Sequence, residues 1–315
     1  VLYGGSGDPV GGTWEFDGQT WSNVQAFAGG SRVNHEMAYD GVRHQVILFG
    51  TATNISPETR AYDGMSWQVV ALVGPGPRAR FSMCEDTARR RVVLFGGQAV
   101  TGSIDNSTWE WNGAAWATAT TSGPSLRFNT AMTFDSVRQR VVLFGGENAA
   151  TTFDDTWEWD GATWIRAIAG ATPPQRRAPA LAFSESRRRA LLHGGIVPGG
   201  SPTSQTWSWD GLQWRAETSH GPVATSAEMI YDSARSRLLM ITVDVANDVG
   251  TWALPDCPGD ASADGSVNMM DLNAVLSNYG QAVQLGVAGD LDGDGRASFS
   301  DLNLVLSFFG SIGCK

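Results

Sequence analysis

Oxygen-bearing side chains recur at fixed spacing in two loops near the end of the chain. The first loop carries them at positions 1, 3, 5, 9 and 12: Asp260, Ser262, Asp264, Asn268 and Asp271. The second loop, which begins thirty residues later, carries them at the same positions: Asp290, Asp292, Asp294, Ser298 and Asp301. Each loop has a glycine at position 6, which permits a sharp turn, and a residue at position 7 whose backbone carbonyl is available, Ser266 or Arg296.

This spacing suits a hard cation. Ca²⁺ takes about six to eight oxygen ligands, and such a loop supplies them from carboxylates, hydroxyls, an amide and one carbonyl. The two loops are in register, and each is followed by Asp-Leu-Asn and an apolar helix. We therefore predict two bound Ca²⁺ ions and no other cofactor. The alternative is that the loops only hold a terminal domain together.

The two loop and helix units resemble the duplicated repeat of dockerin modules, which have Asp at position 12. The resemblance covers residues 256–315. It implies a cohesin on another protein as partner, and it implies that loop positions 10 and 11 contribute to recognition: Met269, Met270, Phe299 and Ser300. Dockerins that join cellulosomes usually carry small hydroxyl residues there and a basic pair further along the helix. This chain has no basic pair there. The predicted partner is therefore a cohesin-like protein or a second copy of the chain.

The acidic charge is concentrated in this terminal segment. Residues 255–315 contain eight aspartates against Arg296 and Lys315, a net charge of −6 out of −10 for the whole chain. Because no basic stripe stands out in the remainder, nucleic acid is not an expected partner. No apolar run approaches the length that spans a bilayer, and no signal-peptide pattern begins at Val1. We therefore expect no membrane span.

The cysteines indicate an oxidising compartment. Cys257 and Cys314 flank the two loop and helix units, and we predict a disulfide between them. This pairing favours a secreted or cell-surface protein. Cys84 lies in the middle of a predicted strand and is expected to be a free, buried thiol. A reduced cytosolic protein is the alternative.

A repeat of 46 to 50 residues organises the first 254 residues, as the spacing of five tryptophans shows: Trp21, Trp67, Trp116, Trp164 and Trp214. Each period contains an apolar segment that ends in glycine, such as VVLFGG at 92–97 and 141–146. A signature such as TWEWDGATW at 156–164 follows it. Before five of the apolar segments stands a third element that ends in an acidic turn, such as AMTFD at 131–135.

These segments predict four short strands per period, which we label A to D in chain order. Alternation within strand C places Trp157 and Trp159 on one face and Glu158 on the other. A single four-stranded sheet of this size cannot bury its apolar face, but successive sheets can pack face to face around an axis as the blades of a propeller. All 13 tryptophans lie at recurring positions, so we predict that they pack between blades.

The double glycine after strand B and the paired aromatic signature resemble the kelch repeat over residues 1–254. The resemblance implies binding to proteins or glycans, although some members, such as galactose oxidase, are enzymes. The predicted fold class is thus mainly β. It comprises a six-bladed kelch-like β-propeller at 1–254 and a small α-helical dockerin-like domain of paired calcium loops and helices at 255–315.

The residues that could support catalysis do not converge. A galactose oxidase-like copper site needs two His and two Tyr, but the histidines lie in different repeats: His35, His44, His193 and His220. Glycoside cleavage needs two carboxylates within about 10 Å of each other. The candidate glutamates instead recur at one blade position, which spreads them around the ring: Glu15, Glu110 and Glu158. We therefore predict no catalytic residue and no enzymatic activity.

Four arginines also recur, each just before strand A: Arg32, Arg78, Arg127 and Arg176. One hypothesis gives them hydrogen bonds to loops and carboxylates between blades. The other makes them a ring of guanidinium groups at the channel mouth that binds an acidic ligand. Repetition favours the structural hypothesis.

The sequence thus favours a secreted, non-catalytic binding and assembly protein. Its propeller would present a surface for a protein or an extracellular glycan, and its Ca²⁺-dependent module would attach or assemble it. One rival is a structural subunit of an extracellular polymer that is closed by strand donation between neighbours. The other rival is a carbohydrate-active enzyme carried on a dockerin. Assays against glycans that show no activity, together with self-association that depends on calcium, would distinguish these hypotheses.

The first and last blades are incomplete in the sequence pattern. The chain opens inside strand B of blade 1, so that blade shows no strand A. Blade 6 shows strands A, B and C at 228–232, 238–243 and 251–254, and no strand D. Residues before Val1 or a segment of a neighbouring molecule are the two hypotheses for completing blade 1.

Overall fold

The structure is a computed structural model of the chain. It describes residues 1–4, 12–26, 32, 34–50, 58–217, 223, 226–235, 237–243, 249–254, 267, 269–281, 291 and 296–309. These form two compact units, residues 1–151 with 157–166 and residues 152–156 with 167–315.

Six antiparallel sheets, blades 1 to 6, follow one another along the chain. Blade 1 contains β1 (Leu2–Tyr3), β2 (Gly12–Phe16) and β3 (Trp21–Ala26). Blade 2 contains β4 (Glu36–Asp40), β5 (Gln45–Phe49), β6 (Thr59–Tyr62) and β7 (Trp67–Ala71). The next six strands are β8 (Arg78–Ala79), β9 (Ser82–Asp86), β10 (Arg91–Phe95), β11 (Gln98–Ala99), β12 (Thr108–Trp111) and β13 (Trp116–Thr120). Blade 3 has the order β9-β10-β12-β13, and β8 pairs with β11.

The remaining strands repeat the same order. Blade 4 contains β14 (Ala131–Asp135), β15 (Arg140–Phe144), β16 (Thr156–Trp159) and β17 (Trp164–Ala167). Blade 5 contains β18 (Ala180–Ser184), β19 (Arg189–His193), β20 (Thr206–Trp209) and β21 (Trp214–Ala216). Blade 6 contains β22 (Ser226–Asp232), β23 (Arg237–Val243) and β24 (Val249–Leu254). Within the described residues, blade 1 therefore has no strand A and blade 6 has no strand D, as the sequence pattern predicts.

Aspartates set most of the hairpins within the blades, and Asn112 and Ser184 do so in blades 3 and 5. Between strands A and B of blade 4, Asp135 Oδ1 accepts hydrogen bonds from the amides of Val137 and Arg138 at 3.1 and 2.9 Å. Between strands C and D, Asp160 Oδ1 accepts from Ala162 and Thr163. These amide bonds lower the pKa of Asp160. The predicted turns are confirmed. Where the chain reverses direction, the aspartate side chain accepts hydrogen bonds from the backbone amides of the turn.

Tryptophan side chains join consecutive blades. The Trp that begins strand D donates its Nε1 hydrogen to the Thr that begins strand C of the preceding blade. The distance is 2.8 Å in all four cases: Trp67 to Thr13, Trp116 to Thr59, Trp164 to Thr108 and Trp214 to Thr156. Each such buried bond contributes about 1 kcal/mol net. The prediction of interblade packing is confirmed for these four tryptophans.

The innermost strands pack by alternating small and large side chains. In the first unit, β4 lies beside β9, and β9 lies beside β14. Met83 of β9 packs with Ala38 of β4, and Met132 and Phe134 of β14 pack with Cys84 of β9. In the second unit, Met229 and Tyr231 of β22 pack with Ala182 of β18. Strand A thus presents large residues to the preceding blade and small residues to the next one.

Two helices follow the propeller strands: α1 (Met269–Ser277) and α2 (Phe299–Phe308). They enclose a small core of Val267, Val275 and Val305 with Leu272, Leu291 and Leu302. Among the described residues, no helix combines the length and the apolar character that crossing a membrane requires.

Candidate metal centre and interaction surfaces

The two aspartates at loop position 12 lie fully buried in the first turns of the two helices. These are Asp271 in α1 and Asp301 in α2. Asp301 Oδ1 accepts a hydrogen bond from the Leu291 amide at 2.6 Å, and its Oδ2 accepts one from the Ser298 amide at 2.7 Å. Ser298 caps α2 and completes a reciprocal capping box with Asp301. Position 12 of the second loop is therefore held next to positions 2 and 9.

The chain after α1 also runs beside the second loop. Ala297, at loop position 8, is buried and forms a parallel bridge with Tyr279. The Gly280 amide donates to the Ala297 carbonyl at 2.8 Å. Position 8 of the first loop, Val267, is buried in the core between the helices. The thirty-residue repeat therefore places equivalent residues in equivalent buried positions.

Most predicted calcium ligands lie outside the described residues: Asp260, Ser262, Asp264, Ser266, Asn268, Asp290, Asp292 and Asp294. Of the rest, Arg296 is exposed, and the side chains of Asp271, Ser298 and Asp301 lie at the helix starts. Within the part of the chain that the structure describes, no cluster of three acidic, His or Cys side chains forms. Cys257 and Cys314 also lie outside the described residues, so their disulfide remains a prediction.

The described part of the module fits a hard cation. Burial of a carboxylate is costly unless hydrogen bonds or a cation compensate it, and two carboxylates are buried here close to acidic loops. The amide bonds to Asp301 fix the direction of its oxygens, as bonds around a metal ligand do. Both Asp271 and Asp301 offer oxygen donors, the chemistry that Ca²⁺ prefers.

The outer faces of the two helices are apolar and exposed. The predicted partner residues Met269, Met270, Phe299 and Ser300 are all exposed, and Phe299 reaches 63%. The structure adds four more exposed apolar residues at positions that match across the thirty-residue repeat: Leu276, Leu306, Tyr279 and Phe309. Sequence analysis missed the two leucines, although their spacing of seven residues from Met269 and Phe299 could have placed them on the same helix faces.

The repeated glutamates of strand C are engaged in contacts with side chains around them. Glu110 accepts hydrogen bonds from Arg89 of its own blade and, at 3.2 Å, from Trp159 Nε1 of the next blade. Glu158 accepts from Arg138 at 2.6 Å. Glu15 accepts from the Tyr62 hydroxyl at 3.0 Å. These contacts support the structural interpretation of the three carboxylates.

The repeated arginines are buried within their blades. Each donates from Nη1 to a glycine carbonyl eighteen residues later, over 2.5 to 3.1 Å: Arg32 to Gly50, Arg78 to Gly96, Arg127 to Gly145 and Arg176 to Gly194. Two of them also pair with a carboxylate, Arg32 with Glu58 and Arg78 with Asp105. Arg176 instead donates to Gln205, and burial lowers its pKa to about 10. The hypothesis of a guanidinium ring that binds an acidic ligand is wrong, because these groups are buried in backbone contacts.

The described histidines also contact other side chains of the protein. His193 is fully buried, and its Nδ1 lies 2.8 Å from Thr206 Oγ1. In earlier blades the equivalent Thr accepts from the strand-D Trp of the next blade, and blade 6 has no strand D in the described residues. Among the described residues, His193 thus makes the hydrogen bond to Thr206 that a strand-D Trp makes to the equivalent Thr in earlier blades. His35 packs edge-on against Tyr3, and His44 lies 3.3 Å from the Tyr39 hydroxyl. His220 lies outside the described residues.

Cys84 is the free cysteine of the described residues, as predicted, but it is only partly buried. Its side chain is partly exposed and packs against the core between blades 3 and 4. Burial of its sulfur and the nearby Asp86 raise the pKa of the thiol.

We expect Cys84 to react slowly with a disulfide reagent at pH 8, at least about tenfold more slowly than the same protein in denaturant, because the thiolate is the nucleophile. Absorbance during reagent addition, with and without guanidinium chloride, measures both rates. Equal rates in the native and the denatured protein would show that the fold neither protects the thiol nor raises its pKa.

No family model matches the chain. No curated protein matches it either. Solved structures do match. One titled "Structure of YjhT" aligns with a TM-score of 0.64 over 79% of this chain and 89% of that chain, at 13% sequence identity. At this identity the likeness shows the fold alone. With the six successive sheets, it shows that this chain has a six-bladed β-propeller fold, as its repeat predicts.

Proposed function

We propose that this protein is a secreted, non-catalytic interaction platform whose C-terminal module binds two Ca²⁺ ions and attaches or assembles it. The observation that carries the proposal is the pair of fully buried position-12 aspartates, Asp271 and Asp301, in the first turns of two helices whose outer faces are apolar and exposed. In this arrangement the ions order the loops, and the ordered loops present the helices to a partner.

The propeller supports a binding role more than a catalytic one. Its repeated carboxylates and guanidinium groups form hydrogen bonds within and between blades. A glycosidase or copper oxidase would instead need such groups to converge on one reacting bond. A protein or an extracellular glycan is the proposed ligand of the propeller.

Each ion would be held by side chains at loop positions 1, 3, 5, 9 and 12 and by the carbonyl at position 7. Asp271 and Asp301 close the two loops. The bound ions would offset the repulsion among the aspartates, and binding to sites absent from the unfolded chain would contribute to the stability of the module.

Calorimetric titration of the chelator-treated, full-length protein with Ca²⁺ tests the metal sites. We expect two sites, the loss of one in Asp301→Asn, and the loss of both when Asp271→Asn is added, because a neutral amide cannot replace the closing carboxylate. Arg296→Ala is the matched control, since position 7 contributes only its backbone carbonyl. Absence of heat in the unaltered protein, or equal binding by all variants, would refute the calcium sites.

The docking face is tested separately, with the protein itself and a purified cohesin domain as probes. We expect a calcium-dependent complex with one of them by sedimentation velocity. Met270→Ser combined with Phe299→Ser should abolish it while both Ca²⁺ sites remain. No complex with either probe would refute this partner class and leave calcium binding intact.

A further inference from the structure

Blade 3 differs from the other blades in the turn between strands C and D. In blade 3 this turn is set by Asn112, whose Oδ1 accepts from the Ala114 and Ala115 amides at 2.8 and 2.9 Å. The asparagine keeps the turn but carries no negative charge. In blades 1, 2, 4 and 5 an aspartate accepts the same bonds: Asp17, Asp63, Asp160 and Asp210.

The missing charge leaves an arginine of blade 3 without the counterpart that blade 4 provides. Strands β10 and β12 pair up to the residues that adjoin Arg91 and Asn112, so these two residues are neighbours. In blade 4 the equivalent residues are Arg140 and Asp160, and the turn amides and, to a smaller extent, Arg140 lower the pKa of Asp160. The Arg91 guanidinium instead donates to the Arg90 carbonyl at 3.3 Å, and it forms no ion pair with a described carboxylate.

Two further arginines lie at this end of blades 2 and 3. Arg43 donates from Nη1 to Asp40 at 2.9 Å and from Nη2 to the Asn112 carbonyl at 2.7 Å, and its side chain is still 37% exposed. Arg90 is exposed at the end of the turn between strands A and B. We call Arg43, Arg90 and Arg91 the arginine cluster.

The carboxylates of the same turns are engaged inside the fold. Asp40 and Asp86 are buried, and each accepts from the arginine three residues later. Glu85 accepts from a backbone amide of the turn in blade 2 at 2.7 Å, and Glu110 accepts from Arg89. The charge that the arginine cluster presents to solvent is therefore positive.

The backbone of Arg90 points to a role for its side chain outside the fold. Its φ is 57°, in the left-handed region that a long side chain rarely adopts and that glycine adopts without cost. No described turn uses glycine at this position, and the others carry His44, Gln139 and Arg188. A residue that keeps a costly backbone conformation, while its side chain is exposed, is a candidate for binding.

We propose that the arginine cluster binds the sulfate or carboxylate groups of an acidic extracellular polysaccharide. This inference rests on the proposed function of the propeller as a binding surface, and it names the class of ligand and the place. Guanidinium groups present paired N–H donors that match the oxygens of such anions.

A polymer suits the cluster better than a small anion or a nucleic acid does. An exposed ion pair contributes only about 0.2–1 kcal/mol, so useful affinity needs several contacts made together, as a polymer makes them. Duplex DNA carries one negative charge per about 1.7 Å. The net charge of −10 on the chain opposes so dense a polyanion more than it opposes a polysaccharide with fewer charges.

Fluorescence anisotropy with labelled heparin and the full-length protein tests the cluster, and Asn112→Asp is the sharpest variant. It keeps the turn and adds the charge that the other blades have, so we expect heparin binding to weaken about fivefold. Asn148→Asp is the matched control and should bind as the unaltered protein does. Asn148 Oδ1 accepts two amide bonds in a turn of the same kind, in the loop between strands B and C at the opposite end of blade 4.

Arg90→Gly separates a binding role from a structural one. We expect about threefold weaker heparin binding and no loss of thermal stability, because glycine adopts the left-handed backbone freely. A lower melting temperature with unchanged binding would show that Arg90 serves the fold alone and would overturn its place in the site.

Polygalacturonate, neutral dextran and duplex DNA complete the test. Binding of polygalacturonate as well as heparin would support recognition of carboxylates, and binding of heparin alone would support recognition of sulfate. Equal heparin binding by the unaltered protein and Asn112→Asp would overturn the site, as would tighter binding of DNA than of either acidic polysaccharide. Binding of dextran alone would overturn it too, yet would leave the proposed glycan-binding role of the propeller standing.

Discussion

Replacing Arg127 by alanine is expected to lower the free energy of unfolding by about 3 kcal/mol. The guanidinium of Arg127 is buried and bonds to three acceptors: the Gly145 carbonyl, the Ser125 carbonyl and the Ser125 hydroxyl, at 3.0 to 3.1 Å. Alanine leaves the buried Gly145 carbonyl without this donor and opens a cavity beside the strand. Guanidinium chloride unfolding monitored by tryptophan fluorescence measures the change.

Two further variants separate charge from geometry. Arg127→Lys keeps the charge but has no planar fork, so we expect it to lose about half as much stability as alanine does. Arg166 is exposed in β17, and Arg166→Ala should change stability by less than about 0.5 kcal/mol. If Arg127→Ala were as mild as Arg166→Ala, the buried hydrogen bonds would not hold the blade together.

The residue pattern within single repeats was sufficient to predict most strands of the blades. Strands B and C and the turns between strands depend on alternation and on aspartate or glycine at fixed offsets, which a single repeat displays. Strand ends were less well predicted. The sequence pattern places strand C of blade 6 at 251–254, whereas β24 begins at Val249 because it pairs with β23 as far as Val243. The end of a strand therefore depends on the neighbouring strand with which it pairs, and that strand lies outside the segment itself.

Roles that depend on the neighbouring blade could not be predicted from one repeat. His193 replaces a strand-B phenylalanine, and it bonds to Thr206, whose equivalents in earlier blades accept from the Trp of the next blade. The exposure of Tyr39 has a similar origin, because it depends on what lies beside β4.

The proposed calcium-binding module illustrates the opposite case. The spacing of its proposed ligands can be recognised in the sequence, because all the donors of one loop lie within twelve consecutive positions. The structure adds the burial of Asp271 and Asp301, which residue type alone does not reveal, since aspartate is mostly exposed in proteins. Sequence analysis identified candidate apolar docking residues at the ends of the two loops, but it missed those in the middle of the helices. There the leucines at 276 and 306 could equally have belonged to the core.

Replacing Glu110 by alanine is expected to lower the free energy of unfolding by about 2–4 kcal/mol. Its carboxylate joins Arg89 and Trp159 Nε1, so its loss leaves a buried indole donor without an acceptor and leaves Arg89 with Asp86 alone. Glu110→Gln should lose less, because the amide oxygen can still accept from Trp159. Denaturant unfolding of the unaltered protein, Glu110→Ala and Glu110→Gln measures the three free energies of unfolding and gives their order.

Blade 2 already contains the natural counterpart of that variant. Ala61 stands where blade 3 has Glu110. The Trp111 Nε1 that would bond to a carboxylate there is buried and has no hydrogen-bond partner among the described residues. Arg43, equivalent to Arg89, donates to Asp40 at 2.9 Å and turns its other nitrogen to the Asn112 carbonyl at 2.7 Å. Ala61→Glu should therefore raise the free energy of unfolding by about 1 kcal/mol, by giving Trp111 an acceptor and Arg43 a second carboxylate. The gain should vanish in Ala61→Leu, which fills the same space without an acceptor. If Ala61→Glu instead destabilised the protein, the Arg43 contact with Asn112 would be the preferred arrangement, and blades 2 and 3 would not be interchangeable at this position.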